Sequence, residues 1–255
     1  MTSLNITTRI KLNNGVKIPL FGLGTYQNTN PKDAFDAVLY ALKIGYRLID
    51  TAAYYRNEEF IGKAIKESKI SRKDIFVATK LWITDHDDPE RAFYKSLEKL
   101  NLDYIDLYLI HWPVENIRNR SWKILEKINE EGKCKAIGVS NYTIRHLKEL
   151  LKIAKIIPNV NQVEFTPFLH QEELLDFCNK NKIALEAYSP LTKGKKLNDS
   201  KLKDIAEKYN KTTAQILIKW CLQHNIIVIP KSSSKERIKE NADVFDFSIE
   251  KEDMN

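Results

Sequence analysis

Residues 104–111 read Tyr104-Ile105-Asp106-Leu107-Tyr108-Leu109-Ile110-His111, a run of strand length in which Leu107 and Leu109 lead at a spacing of two to His111. Alternate residues of a strand share one face, so the run predicts a strand whose inward row ends in an imidazole. Two more runs are built the same way: Leu48 leads to Asp50 in residues 47–50, and Ala78 leads to Lys80 in residues 75–81. Further strand-like runs at residues 21–24, 134–140, 160–165, 183–189 and 226–230 bring the total to eight.

Amphipathic helical segments fill the gaps. Leu147, Leu150, Leu151 and Ala154 form one stripe at helical spacing, as do Phe93, Leu97 and Leu100. Asn30-Pro31 and Asp88-Pro89 each set a capping side chain before a first-turn proline. Ser71-Arg72-Lys73-Asp74 has the form of a capping box, placed in the turn that leads into the third strand. Ahead of the first strand, residues 9–12 and 16–19 flank Asn13-Asn14-Gly15, which predicts a hairpin. Eight strand–helix units predict an α/β protein, a closed (β/α)8 TIM barrel of one domain over residues 1–255, with the N-terminal β-hairpin closing the barrel bottom. An open doubly wound sheet is the competing arrangement.

Composition narrows the class. Hydrophobic residues make up 43% and charged residues 29%, ordinary for a chain that buries a core. No apolar run approaches the roughly 18 residues of a membrane span, and the first residues lack a secretory leader, so a cytoplasmic protein is expected. Cys134, Cys178 and Cys221 follow no CxxC spacing and read as buried hydrophobes. The net charge of +7 is spread over helix faces such as Lys123-Ile124-Leu125-Glu126-Lys127, a pattern of solvated surfaces and not of nucleic-acid binding. Trp122 and Trp220 fall within helical stripes and are expected in the core.

In such barrels reactive groups sit at the carboxyl ends of the strands. Asp50, Lys80 and His111 each cap an inward row there, and Tyr55 follows Asp50 within the second connection. Asp106, Glu164 and Glu186 also lie inside strands, so a polar strand residue is not by itself catalytic. The four are set apart by convergence of an acid, a phenol, an ammonium and an imidazole on one mouth.

Gly45-Tyr46-Arg47-Leu48-Ile49-Asp50-Thr51-Ala52, with Tyr55 and Asn57-Glu58, resembles the aldo-keto reductase signature. So do Thr79-Lys80-Leu81-Trp82, Leu109-Ile110-His111-Trp112-Pro113, Gly138-Val139-Ser140-Asn141-Tyr142, and Ile229-Pro230-Lys231-Ser232 with Arg237 and Glu240-Asn241. The matches run in family order from about residue 8 onward. The resemblance implies NADPH-dependent, metal-free reduction of aldehydes and ketones to alcohols, with Asp50, Tyr55, Lys80 and His111 as the catalytic tetrad. Tyr55 would donate the proton, Lys80 would lower its pKa, Asp50 would hold Lys80, and His111 would position the carbonyl oxygen. The hydride would come from the cofactor.

The resemblance also implies a cofactor set. Ser140, Asn141 and Gln162 would hold the nicotinamide carboxamide, with Tyr188 stacked on the ring, and Ser189 and Leu191 would face the pyrophosphate. Lys231, Ser232 and Arg237 would take the 2′-phosphate, with Glu240 and Asn241 near the adenine. Gly24 and Thr25 join this set, although Gly22-Leu23-Gly24 is no dinucleotide fingerprint. Tyr26, Trp82 and Trp112, with His111, would line the substrate pocket.

The stretches 113–121 and 191–198 are short for the family, and a final helix is expected to start at Ser248 and stop at Asn255. Together these predict an open site of broad specificity, in a chain expected to act as a monomer. Two other readings stand beside this one: a non-catalytic cofactor-binding subunit or redox sensor on the same fold, and a barrel lyase using Lys80 as a Schiff base.

Overall fold

The structure, a computed structural model, describes residues 4–254. Strands β1 (Arg9–Lys11) and β2 (Lys17–Pro19) pair antiparallel across the Asn13-Asn14-Gly15 turn, forming the expected hairpin. The eight strands that follow are β3 (Leu23–Gly24), β4 (Leu48–Asp50), β5 (Phe76–Leu81), β6 (Ile105–Ile110), β7 (Cys134–Ser140), β8 (Val160–Glu164), β9 (Ala184–Tyr188) and β10 (Ile227–Val228). Each pairs parallel with the next in chain order. Parallel bridges from Phe21 to Val228 and from Gly24 to Lys231 join the first strand to the last, and the sheet closes on itself. Gly24 permits that closure, since a Cβ there would stand 2.7 Å from the Ile229 carbonyl oxygen. The closed barrel, not the open sheet, is the arrangement of this chain.

Helices form the outer layer: α1 (Pro31–Lys43), α2 (Glu58–Glu67), α3 (Pro89–Leu100), α4 (Arg118–Glu130), α5 (Ile144–Leu151), α6 (Glu172–Lys180), α7 (Ser200–Lys208), α8 (Thr213–Gln223) and α9 (Lys235–Ala242). Their starts follow from local chemistry. Asn30 accepts from the Lys32 and Asp33 amides and Asp88 from the Arg91 amide, each ahead of a first-turn proline. Of the two apolar stripes, Phe93, Leu100, Leu147 and Leu150 are buried, while Leu97, Leu151 and Ala154 are half-buried. Trp122 and Trp220 are in the core, and the three cysteines are buried and unpaired.

The hairpin packs at the amino ends of the strands. Asn14 Nδ2 donates to the Lys135 carbonyl at the start of β7, and Asn13 Nδ2 to that of Pro158, just ahead of β8. The bottom is thereby covered, which leaves the opposite mouth for a site.

Ser71–Asp74 is the expected turn into the third barrel strand: Arg72–Asp74 forms one 3-10 turn, and the Ser71 side chain caps no helix. One local expectation fails. The helix expected from Ser248 to Asn255 is only the 3-10 turn Lys251–Met254 within the described residues. There the chain is held by side chains instead of its own backbone ladder: Trp220 Nε1 donates to the Met254 carbonyl, and Tyr209 OH to Asp253. Among the described residues no helix is long and apolar enough to cross a membrane.

Candidate active site

Parallel register brings the chemistry together. Asp50 ends β4 opposite Ala78, Lys80 sits on β5 opposite Leu109, and His111 follows the last residue of β6. The inward rows therefore finish at one mouth, as strand parity requires. Lys80 Nζ donates to Asp50 Oδ1 at 2.6 Å, to Asp50 Oδ2 at 2.7 Å and to the Thr51 carbonyl at 2.8 Å. Those three short bonds fix the ammonium in place. The Tyr55 hydroxyl lies 3.5 Å from the same ammonium, and the Tyr55 ring centroid 5.8 Å from that of His111.

Tyr55 is delivered by the 3-10 turn Ala53–Tyr55, which ends where Arg56 turns left-handed at φ 56°. Asn57 anchors this turn from below. It accepts from Thr51 Oγ1 at 2.7 Å and donates to the Thr25 and Asn28 carbonyls at 3.0 and 3.3 Å. The signature residues around Tyr55 thus tie the connection after β3 to the connection after β4.

Electrostatics assign protonation states. Burial works against the charge on Lys80, yet Asp50, with smaller help from Tyr55 and Glu186, outweighs it and holds the ammonium above the ordinary lysine range. His111 is pushed down to about 2, first by burial and then by the Lys80 cation, so its imidazole is neutral. Tyr55 departs from the sequence expectation. Lys80 does pull the phenol down, but burial pulls harder the other way and the pKa rises to about 12. Tyr55 therefore keeps its proton at neutral pH.

A groove of about 800 Å³ runs from this mouth along the strand ends. Asp50, Tyr55 and His111 face one end of it, with Tyr26, Trp82 and Trp112 around them, while Lys80 lies beneath, fully buried. Gly24, Asn141, Gln162, Tyr188, Ser189 and Leu191 line its middle, and Lys231, Ser232, Arg237, Glu240 and Asn241 its far end. Two of the expected cofactor residues stand behind the wall. Thr25 turns inward to donate to the Asp50 carbonyl at 2.9 Å, and Ser140 Oγ accepts from Asn141 Nδ2 at 3.1 Å. Asn141 is largely committed within the protein as well. It also donates to the His111 carbonyl at 3.0 Å and accepts from Tyr188 OH at 2.9 Å.

The far end has the chemistry of an anion site. Neither Lys231 nor Arg237 forms an ion pair among the described residues. Burial and then the neighbouring Arg237 lower the Lys231 ammonium, and the more weakly felt Asp33 carboxylate does not offset them. Ser232 and the first turn of α9 supply donors beside them. Such donors have the chemistry to take a dianionic phosphate, and one continuous groove connects them to Tyr55.

Some site residues escaped the sequence. Tyr54 stacks on Trp82 with ring centroids 3.9 Å apart and completes the aromatic wall of the mouth. Its only signal was its place next to Tyr55. Lys193, Gly194 and Leu197 cover the middle of the groove from the lean connection after β9. Glu186 lies under the tetrad, in the same inward row of β9 as Tyr188, a parity that could have placed it there.

The Aldo/keto reductase family matches residues 20–255. The chain is 51% identical to a glyoxal reductase of Bacillus subtilis (strain 168), over 100% of this chain and 92% of that one. It is 44% identical to a methylglyoxal reductase of Escherichia coli (strain K12), over 97% and 91% of the two chains. Among solved structures, an aldo/keto reductase from Brucella melitensis superimposes with a TM-score of 0.93 at 47% identity, covering 97% of both chains. A Bombyx mori aldo-keto reductase solved in complex with NADP superimposes with a TM-score of 0.92 at 35% identity, over 99% and 92%. The fold and site define a barrel oxidoreductase. The chain belongs to the aldo/keto reductase family, and its reaction is the NADPH-dependent reduction of a carbonyl to an alcohol.

Proposed function

We propose that this enzyme reduces small 2-oxoaldehydes such as methylglyoxal, with Tyr55 as proton donor and Asp50, Lys80 and His111 completing its catalytic tetrad. The observation that carries the proposal is the buried Lys80 ammonium, clamped by Asp50 and lying 3.5 Å from the Tyr55 hydroxyl. The substrate class follows the names of the similar glyoxal and methylglyoxal reductases. The open, aromatic mouth agrees with it, since Tyr26, Tyr54 and Trp112 stay exposed there.

NADPH, when bound, supplies the hydride to the carbonyl carbon. A neutral imidazole has one N–H to give, and His111 Nδ1 is buried without a partner, so the proposal assigns that proton to Nε2 and the substrate oxygen to its reach. As negative charge develops on that oxygen, the Tyr55 hydroxyl gives up its proton and becomes phenolate. The fixed Lys80 ammonium stabilises the phenolate without having to move, which is how a phenol with a pKa of about 12 serves as an acid. Gln162, Tyr188 and the residues beyond them hold the cofactor in this reading, while Lys231, Ser232 and Arg237 take its 2′-phosphate. Buried unpaired cysteines suit the reducing cytoplasm.

The test is NADPH oxidation at 340 nm with glyoxal and methylglyoxal, beside NADH, for the wild type and two variants. Tyr55→Phe is expected to lose turnover by about 10²–10⁴-fold while binding NADPH normally. Lys231→Ala is expected to weaken NADPH about tenfold or more and NADH little, because only NADPH carries the extra phosphate. Full turnover in Tyr55→Phe, or equal losses for the two cofactors in Lys231→Ala, would overturn the respective assignment.

A further inference from the structure

Two buried carboxyl groups converge on one end of a single amide under the mouth. Gln162 Nε2 donates to Asp50 Oδ2 at 2.9 Å and to Glu186 Oε1 at 3.1 Å. Gln162 and Glu186 stand directly opposite each other on β8 and β9, and Asp50 reaches them from across the barrel. Two acceptors on one side dictate which end of the amide points at them: the NH2 end, with both its protons used. The carbonyl oxygen is then the one hydrogen-bonding atom the Gln162 amide has left, and Gln162 lines the groove.

We propose that Glu186 is a positioning residue of this reductase: together with Asp50 it locks the Gln162 amide so that the groove meets an acceptor there and no donor. The proposal rests on the reading that the nicotinamide end of the cofactor lies at Gln162. An acceptor at that point selects a carboxamide, which brings an N–H, over a carboxylate, which brings only lone pairs and a negative charge. Beyond Gln162, Glu186 acts only through its field on the Lys80 ammonium, the smallest of the influences that raise it. Glu186 is fully buried, forms no ion pair among the described residues, and its Oε2 has no partner. A carboxyl so placed is costly to a fold, and a hydrocarbon of similar size would fill the space more cheaply. Burial, then the neighbouring Asp50, pushes its pKa up to about 8, but the neutral and ionised forms both accept from Gln162, so the lock does not depend on its protonation.

The test measures binding, not turnover: dissociation constants for NADP+ and for its nicotinic-acid analogue, read by quenching of tryptophan fluorescence. The wild type is expected to prefer NADP+ by about tenfold or more. Glu186→Leu frees one N–H of Gln162, lets the amide offer a donor to the groove, and is expected to shrink that preference about three- to tenfold. Glu186→Gln, which restores an acceptor, is expected to restore the preference. A filled core alone would not produce this pattern, because leucine packs at least as well as glutamine. An unaltered preference in Glu186→Leu overturns the proposal, as does the absence of any preference in the wild type. If Glu186→Leu does not fold, Glu186→Val, which also removes the acceptor, carries the same comparison. Gln162→Leu separates the two levels. If it abolishes the preference while Glu186→Leu does not, the lock falls and the cofactor reading stands. If the preference survives in Gln162→Leu, the carboxamide does not lie at Gln162 and the reading beneath the proposal falls with it.

Discussion

The two ends of strand β5 each set a cation against a buried aspartate, and they put the pair to different uses. At the amino end, Arg72 donates to Asp106 at 2.6 Å, Lys135 reaches the other carboxylate oxygen at 3.2 Å, and the Val77 amide adds a third bond at 3.0 Å. Arg72 and Lys135 also lie over the Tyr104 ring. Every one of those contacts is to structure, and the cluster stitches the starts of β5, β6 and β7 together. At the carboxyl end, Lys80 is as tightly held, but the next group in its field is a phenol that opens onto a groove. The residue types differ little. On the proposed mechanism, what makes one pair a fastening and the other an instrument is whether the cation still has an unsettled neighbour.

That contrast can be broken at either end. Lys80→Met carries the largest expected effect, a loss of about 10²–10⁴-fold in turnover. It also lowers stability, since it strands the Asp50 carboxylate in the barrel at a cost on the order of 3–5 kcal/mol. Asp106→Ala is expected to lose about as much stability in urea unfolding, while turnover per folded molecule stays at the wild-type value. A fall in kcat for Asp106→Ala would erase the distinction between the two ends.

A smaller effect is expected under the mouth. The Glu186 pKa rises in the folded chain from an ordinary 4.5 to about 8. Between those values the unfolded chain has released a proton that the folded chain keeps, so this group favours unfolding increasingly as pH climbs. Above pH 8 the penalty stays constant, and below about 4.5 it vanishes. Glu186→Gln is therefore expected to match the wild-type Tm at pH 4 and to exceed it progressively up to pH 8. A Tm difference that does not change with pH would mean that folding leaves the Glu186 pKa unshifted. His111 supplies the smallest signal. With its pKa near 2, it is expected to leave no inflection in the rate profile between pH 5 and 8.

Asp106 and Glu186 also mark what the sequence could say. Both read as polar residues inside strands, and nothing in either stretch alone told a fastening from a member of the site. Parity carries the difference: Asp106 is out of step with Leu107, Leu109 and His111, whereas Glu186 is in step with Tyr188. The eight strands and the convergence of Asp50, Lys80 and His111 were legible for the same reason, because period-two rows in a parallel barrel leave little choice of where an inward residue ends up. Contacts made across the barrel were not legible. The Gln162 amide meets Asp50 over a separation of 112 residues, and no local pattern encodes such a pair. The direction of the Tyr55 shift was missed on similar grounds. Lys80 was visible as a partner, but the depth of burial that outweighs it is a property of the whole mouth. The final segment was misread as a helix because its polar, capped beginning resembled one, while its fastening to Trp220, Gln223 and Tyr209 lies outside its own sequence.

The barrel is closed by the pairing of residues 21–24 with 228–231, and that seam bears on how the chain is made. About two hundred residues must leave the ribosome between one lip of the seam and the other, a contact of very high sequence separation. Through that interval β3 can pair with β4 alone, and its other edge stays bare, a template open to any extended chain nearby. The growing sheet offers a second bare edge that moves outward with each new strand. Only with the arrival of β10 do both edges vanish at once. Synthesis of this enzyme is thus a race between finishing the last strand and meeting a stranger at the first.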